Sequence, residues 1–302
     1  MICDSDPRAL AEALESAPGT IGVAKMGDVL EDPAVHGVVV ASPAELHHPL
    51  ALLALQSNRD VFVEKPLALN VDHGRELLET AAEHGRVLMV GHLLEYHPAV
   101  QRLHELVAAG ELGRLQYLYS NRLNLGRFRR EENILWSFAP HDIDVLLLLV
   151  GEQPVRVSAH GGYYLHEAIA DVTVSALEFR SGIKAHVFVS WLHPYKEQRL
   201  VVVGDRQMAV FDGAARNKLT LFPQPVIWRD EQPVPKPSQG TAVAVSDEEP
   251  LRRECLEFLR ACRERRSPRT DGANGLRVLE VLSACQRSLD SGGAAVALSS
   301  SS

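Results

Sequence analysis

Cysteine is scarce in this chain, and its four copies, Cys3, Cys255, Cys262 and Cys285, include no C-x-x-C pair. That spacing gives neither a disulfide framework nor a zinc knuckle, so the thiols are expected to be reduced. Long apolar runs are missing too. The densest patch, Val145 to Val150, is six residues, against roughly 18 for a membrane span. A signal peptide would begin with positive charge and then a greasy run, yet here Asp4 and Asp6 occupy that position, which leaves the cytoplasm as the expected location. Basic runs are absent as well. Lysine and arginine total 31 against 39 acids, for a net charge of −8, so neither nucleic acid nor an anionic membrane is an expected partner.

What remains is an ordinary globular composition, 46% hydrophobic and 23% charged over 302 residues, enough for two domains. Residues 1–97 alternate short β-branched runs with helical patterns. Val38 to Ala41, Val61 to Val63 and Val87 to Val90 read as buried strands, and Glu45 to Ser57 reads as a helix. Another helix is expected from Val71, capped by Asn70 and ended by Gly85. Fully apolar strands between helices indicate a parallel, doubly wound α/β sheet. Residues 98–302 differ. A helix over Pro98 to Ala109 leads into strand patterns at Leu115 to Asn124, Pro154 to Leu165, Val172 to Phe179, Ile183 to Trp191, Arg199 to Val203, Met208 to Phe211 and Lys218 to Phe222. Short turns between them predict an α+β domain with a mostly antiparallel, open sheet. Pro223 to Pro237 reads as an irregular excursion, Leu251 to Arg265 and Gly272 to Leu289 as closing helices, and the Ser-rich tail after Gly292 carries no assignment.

Doubly wound sheets bind ligands at the carboxyl ends of their strands. The residues there are Asp4 after Ile2-Cys3, Ser42-Pro43 with His47 nearby, Glu64-Lys65-Pro66, and Gly91-His92. Each alone is weak, since an acid after a strand is commonly a cap and a lysine a solvated charge. Jointly, at one sheet edge, they point to a ligand site. At these residues the chain resembles the Gfo/Idh/MocA oxidoreductases: "VVVASPAELHHPLALLAL" followed by "DVFVEKPLAL" is similar to that family's strand, cofactor-contacting turn and EKP motif. The resemblance implies a Rossmann-like NAD-binding domain, with cofactor contacts from Asp4, Ser42, Pro43, His47, Glu64, Lys65 and His92. It also implies a His-Asp pair opening the helix behind the active site, here His141-Asp142 after Pro140. At a helix start the dipole would disfavour a cationic imidazole and favour Asp142. The plain alternative is a packed His141 and two helix-start acids, Asp142 and Asp144. A metal site there is not expected, because only His141 and Asp144 would share a helix face.

Sugar and cyclitol dehydrogenases of the family often carry Asp four residues before that His, where this chain has Ser137. The segments "VGHLLEYHPA" and "SNRLNLGRFRREENILWSFAPHDID" are similar instead to the subgroup that oxidises the 3-hydroxyl of UDP-N-acetylglucosamine-type sugars, often as the 6-carboxylate. Asn121, Arg122, Asn124, Arg127, Arg129 and Arg130 suit such a substrate, since guanidinium matches carboxylate or pyrophosphate bidentately. Pairing of these arginines with Glu131 and Glu132 is the competing reading. The implied chemistry is hydride transfer from a sugar carbon to NAD, with Lys65 or His141 as the base. A lysine would need its pKa lowered by burial or a nearby cation, and a histidine would not, which favours His141 with Lys65 orienting the hydroxyl. Asp4 would bind the adenosine ribose and favour NAD over NADP. Ser137 and Asp142 join the expected substrate contacts, with a homo-oligomer, dimer or tetramer, formed through the C-terminal sheet.

The glycine turn of the fold is not in these residues. No two glycines stand two apart anywhere in the 302 residues, and Met1-Ile2-Cys3-Asp4 reads as a second strand already under way. We expect the first βα unit, with its G-x-G-x-x-G, to lie in frame upstream of Met1. True truncation, or a cofactor-free binding protein, are the alternatives.

Overall fold

The structure, a computed structural model, describes residues 1–126, 128–130, 132–223, 226–235 and 239–298. Arg127 and Glu131, both invoked above, lie outside the described residues. The chain divides into two compact units, Met1–Gly91 with Glu257–Gly275, and His92–Leu256 with the chain from Leu276 onward. The first unit therefore includes a C-terminal stretch that the sequence pattern assigned to the second domain.

In the first unit, β1 (Ile2–Cys3), α1 (Pro7–Glu15), β2 (Gly22–Val23), α2 (Met26–Glu31), β3 (Gly37–Val40), α3 (His47–Gln56), β4 (Asp60–Glu64), α4 (Val71–Glu83) and β5 (Leu88–Gly91) follow one another. All strand pairings are parallel, as the apolar runs of β3, β4 and β5 predicted; β2, only Gly22–Val23, carried no such run. They form two sheets: β1 pairs with β2, while β3, β4 and β5 make a three-stranded ladder. Val61 and Val63 at 0% exposure and Phe62 at 2% are covered on both faces, each contributing about 1.5–3 kcal/mol of burial. Asn70 caps α4 by accepting from His73 N–H at 2.8 Å, and Gly85, at φ +59°, follows its end in the left-handed region. The outer edge of β5 is covered by Thr270, whose carbonyl accepts from Val90 N–H at 2.8 Å and whose hydroxyl donates to Val90 O at 2.7 Å. The stretch before β3 is thinly packed. Of the described residues from Met1 to Val39, only Val29 is buried, and α1 buries none.

The second unit is organised on a nine-stranded sheet. Its elements are α5 (Pro98–Ala108), β6 (Leu115–Leu123), α6 (Ile134–Val150), β7 (Pro154–Gly162), β8 (Val172–Phe179), β9 (Lys184–Ser190), β10 (Glu197–Gly204), β11 (Gln207–Asp212) and β12 (Leu219–Pro223). They continue as β13 (Val226–Arg229), β14 (Gln232–Pro235), β15 (Thr241–Ala242), α7 (Pro250–Glu264), α8 (Gly272–Asp290) and β16 (Val296–Ala297), α7 and α8 being shared with the first unit. Strand order is β15-β12-β11-β10-β6-β9-β8-β7-β16. Pairing is antiparallel except between β6 and β9. One core, containing Leu118, Ile143, Leu146, Val187 and Leu282, fills the covered face of the sheet.

Three features depart from the sequence pattern. The expected irregular excursion contains the hairpin β13–β14, turning through Asp230 and Glu231 at φ 47° and 62°. Left-handed non-glycine residues give no turn signal of the Asn-Gly kind. Two residues of the tail also form a strand: β16 pairs with β7 at Val296↔Val157 and Ala297↔Arg156. Finally, the helix expected to open at His141 begins at Ile134, capped by Asn133, whose side chain accepts from Trp136 N–H. Pro140 lies inside α6 rather than at its start. His141 and Asp142 therefore sit beyond the first turn, and the argument from the helix N-terminal dipole does not apply to them, since that field fades within one turn. Among the described residues, no helix is long and apolar enough to cross a membrane.

Candidate functional site

The first unit presents its candidates on the turns after β3 and β4. In-register pairing of Val40 with Val63 brings the two strand ends side by side. Ser42 and Pro43 leave β3, and Lys65 and Pro66, joined by a cis peptide, leave β4. His47, the first residue of α3, is 2% exposed; its Nδ1 stands 2.7 Å from Pro66 O and its Nε2 2.9 Å from Ser42 O. Glu64 pairs with Gly91 across the β4–β5 ladder. A Cβ on Gly91 would come 2.8 Å from Glu64 Oε2 and 3.2 Å from Glu64 Cα, so glycine is what lets the carboxylate lie over the end of β5. His92 follows, buried at 1% exposure. Asp4, after β1, accepts from Asp6 N–H at 2.8 Å through Oδ1.

Beneath this edge, Asp60 holds the starts of the strands. Its carboxylate accepts from Val87 N–H at 2.9 Å and from Arg265 Nη1 at 2.7 Å. Burial, with Asp60 next in size, pushes the neighbouring Cys262 thiol up to about 12, so that thiol is no nucleophile.

The second unit gathers its polar candidates where α6 crosses β6 and β10. Asp142, 4% exposed, accepts from Ser120 Oγ at 2.5 Å, from Arg122 Nε at 2.7 Å and from Arg122 Nη2 at 3.3 Å. The amide of Gln198, with its oxygen turned toward Arg122, accepts from Arg122 Nη1 at 2.8 Å. A cavity of about 10 Å³ borders this cluster, room for about one water and not for a sugar. Arg122 and Asp142, both expected to touch substrate, are thus each other's partners, and they tie α6 to the sheet.

The remaining candidates are spread along the same chain segment. Asn121 donates to Glu197 Oε1 at 2.9 Å. Asn124 is half-buried at the exit of β6, and Arg129 and Arg130 are exposed beyond it. Arg129 pairs with Glu132 at 3.0 Å, as the competing reading held, though half of its side chain stays exposed. Ser137 and His141 lie four residues apart on α6, Ser137 buried and His141 half-buried. Among the described residues no three His, Cys, Asp or Glu side chains cluster to hold a metal ion. Three contributors escaped sequence reading. Ser120 and Gln198 are polar residues inside strands, and Thr270 follows a loop; Ser120 opens the segment quoted above without having been singled out, and the other two carry no motif.

For a dinucleotide, the residues present fit two of its parts. Asp4 and the Ser42-Pro43 turn suit an adenosine ribose and its surroundings, and the Glu64-Lys65 turn, kept open by Gly91, suits a nicotinamide. A glycine turn for the pyrophosphate is not among these residues.

Comparison with known proteins gives two successive matches: residues 1–92 match the model described as "Oxidoreductase family, NAD-binding Rossmann fold", and residues 100–210 match the GFO/IDH/MocA C-terminal domain. UDP-N-acetylglucosamine 3-dehydrogenase of Acidithiobacillus ferrooxidans is 28% identical over 248 residues, 81% of this chain and 76% of that protein. Its solved structure superposes with a TM-score of 0.84 over 96% of this chain and 89% of that one, at 25% identity. A structure from Magnetospirillum magnetotacticum, described as an oxidoreductase, is 30% identical with a TM-score of 0.80, covering 93% of this chain and 89% of that one. Scyllo-inositol 2-dehydrogenase (NAD(+)) of Bacillus subtilis is 26% identical over 232 residues, 72% of this chain and 67% of that protein.

Proposed function

Because the chain belongs to the Gfo/Idh/MocA oxidoreductases, NAD-dependent enzymes acting on sugar or cyclitol hydroxyls, we propose that its own substrate is a nucleotide sugar, oxidised at C3 of a UDP-N-acetylhexosamine or its uronate. The observation that carries the substrate is the pair of exposed guanidinium groups Arg129 and Arg130 on the loop between β6 and α6, in a protein of net charge −8. A cluster of that kind suits a pyrophosphate or uronate. The buried, neutral Ser137 stands on α6 where a cyclitol-type enzyme would carry an acid. A cyclitol is the second reading, favoured by the similarity to the scyllo-inositol enzyme.

Bound NAD supplies the hydride acceptor. The chain's part is to hold the sugar hydroxyl and take its proton. His141 Nε2 or Nδ1 is the proposed acceptor of that proton, since a neutral imidazole accepts without a large shift, while Lys65 Nζ orients the hydroxyl. Arg122, fixed by Asp142, Ser120 and Gln198, sets the position of β6 and of the loop that follows it. Substituting His141 by Asn should abolish the acid limb of the kcat pH profile, whereas Lys65→Met should lower kcat with that limb retained. The opposite assignment would exchange the roles of the two residues.

Self-association is a further proposal. The uncovered face of the large sheet carries Tyr117, Tyr119 and His186, with the Tyr119 and His186 rings stacked at 5.2 Å, and Val174 there is 44% exposed. Such a face suits a second copy of the chain, as dimer or tetramer.

A further inference from the structure

We infer that His47 is a positioning residue: its ring ties the Ser42-Pro43 turn to the Lys65-Pro66 turn and so fixes where Lys65 is presented to the nicotinamide. The inference rests on the oxidoreductase reading for its consequence, though not for the tie itself. Sequence alone made His47 a cofactor contact. At 2% exposure its ring has almost no surface to offer a ligand. What the ring does offer is two nitrogens on opposite sides, one 2.7 Å from Pro66 O and the other 2.9 Å from Ser42 O. Both partners are backbone carbonyls, which only accept, so the ring donates to one or the other according to its tautomer while standing against both.

The placement gives the tie its leverage. The β3–β4 ladder ends at Val40↔Val63, and past that pair the two chains diverge into turns. His47 spans them from a fixed base, since it is the first residue of α3, whose Ala51, Ala54 and Leu55 are 0% exposed. The bond to Pro66 O falls on the residue next to Lys65, so a shift of the ring is transmitted to the lysine through one peptide unit. Side-chain bonds to turn carbonyls are among the stronger constraints available where no ladder continues, because a buried carbonyl left unpaired is costly.

The test compares the full protein with its His47→Leu and His47→Gln variants, using two readouts that do not depend on turnover. In hydrogen exchange without nucleotide, His47→Leu should speed exchange in both Ser42–Leu46 and Lys65–Leu69 by about tenfold or more, with β4 and α4 unchanged. His47→Gln, which reaches one carbonyl only, should fall between. In NADH titration by fluorescence, the dissociation constant should rise by about tenfold for Leu and by less for Gln. Exchange that is unchanged in the two turns, or raised evenly across the unit, would overturn the tie. Loosened turns with unaltered NADH affinity and unaltered kcat would overturn its positioning role. Should His47→Leu not fold, His47→Gln carries the same comparison. If the unsubstituted protein does not bind NADH, the oxidoreductase reading fails and the exchange data alone decide the tie.

Discussion

Replacing Asp142 by Asn removes one charge from a buried cluster and leaves the other behind. The carboxylate is 4% exposed and holds Arg122 through bonds of 2.7 and 3.3 Å, while the Arg122 side chain keeps only 16% exposure. Breaking one side of such a pair costs about 3–5 kcal/mol, chiefly because the surviving ion is stranded. Gln198 still reaches Arg122 at 2.8 Å, and the guanidinium keeps some contact with solvent, so the expected loss is near the low end, about 3 kcal/mol. For the size of this unit that is a fall in Tm of roughly 6–12 °C. Replacing both residues by apolar ones, Arg122→Met with Asp142→Leu, should recover most of the loss, because the desolvation cost of the pair disappears with it. Urea unfolding of the two singles and the double forms the cycle. A loss below about 1 kcal/mol for Asp142→Asn, accompanied by a raised KM, would refute the reasoning and return Asp142 to the substrate.

Other consequences follow from single contacts. Gly91→Ala would press a methyl to 2.8 Å from Glu64 Oε2 and 3.2 Å from its Cα; a loss of about 1–3 kcal/mol is expected, with weakened NADH binding, read by thermal melts and titration. His97 caps α5 by accepting from Ala99 N–H through Nδ1 at 3.1 Å, and burial first, then Lys218 and Arg253, lower its pKa. Its folded value lies below its unfolded one, so the stability it contributes is complete above about pH 6.5 and falls away as the pH drops toward the folded value. Urea midpoints should therefore decline with acid in that window, and His97→Asn, which caps without titrating, should flatten the decline.

The parallel strands of the first unit were legible because burial on both faces leaves an unbroken apolar run, as in Val61-Phe62-Val63. The strands of the second unit were legible from alternation, and β8 (Val172–Phe179) matches its pattern end to end. The start of α6 was not, because Pro140 imitates a first-turn proline while Asn133, the true cap, stands among loop residues. The site was half legible. Residue types after strands marked the candidate edge, but no sequence rule says that His47 faces inward between two carbonyls or that Arg122 and Asp142 select each other across nineteen intervening residues of strand end, loop and helix. β16 was illegible for another reason: Val296-Ala297 is two residues long, too short a run to carry alternation, and it is the edge of β7 that pairs it.

The central claim is tested most directly by NADH formation in the full protein. NAD would be supplied with UDP-N-acetylglucosamine, its uronate, scyllo-inositol or myo-inositol. The account predicts NADH from the UDP-sugars, greatest with the uronate, a KM for it raised by about tenfold or more when Arg129 and Arg130 are both replaced by Ala, and little from the cyclitols. Turnover of a cyclitol with none of a UDP-sugar, unaffected by those two replacements, would contradict it.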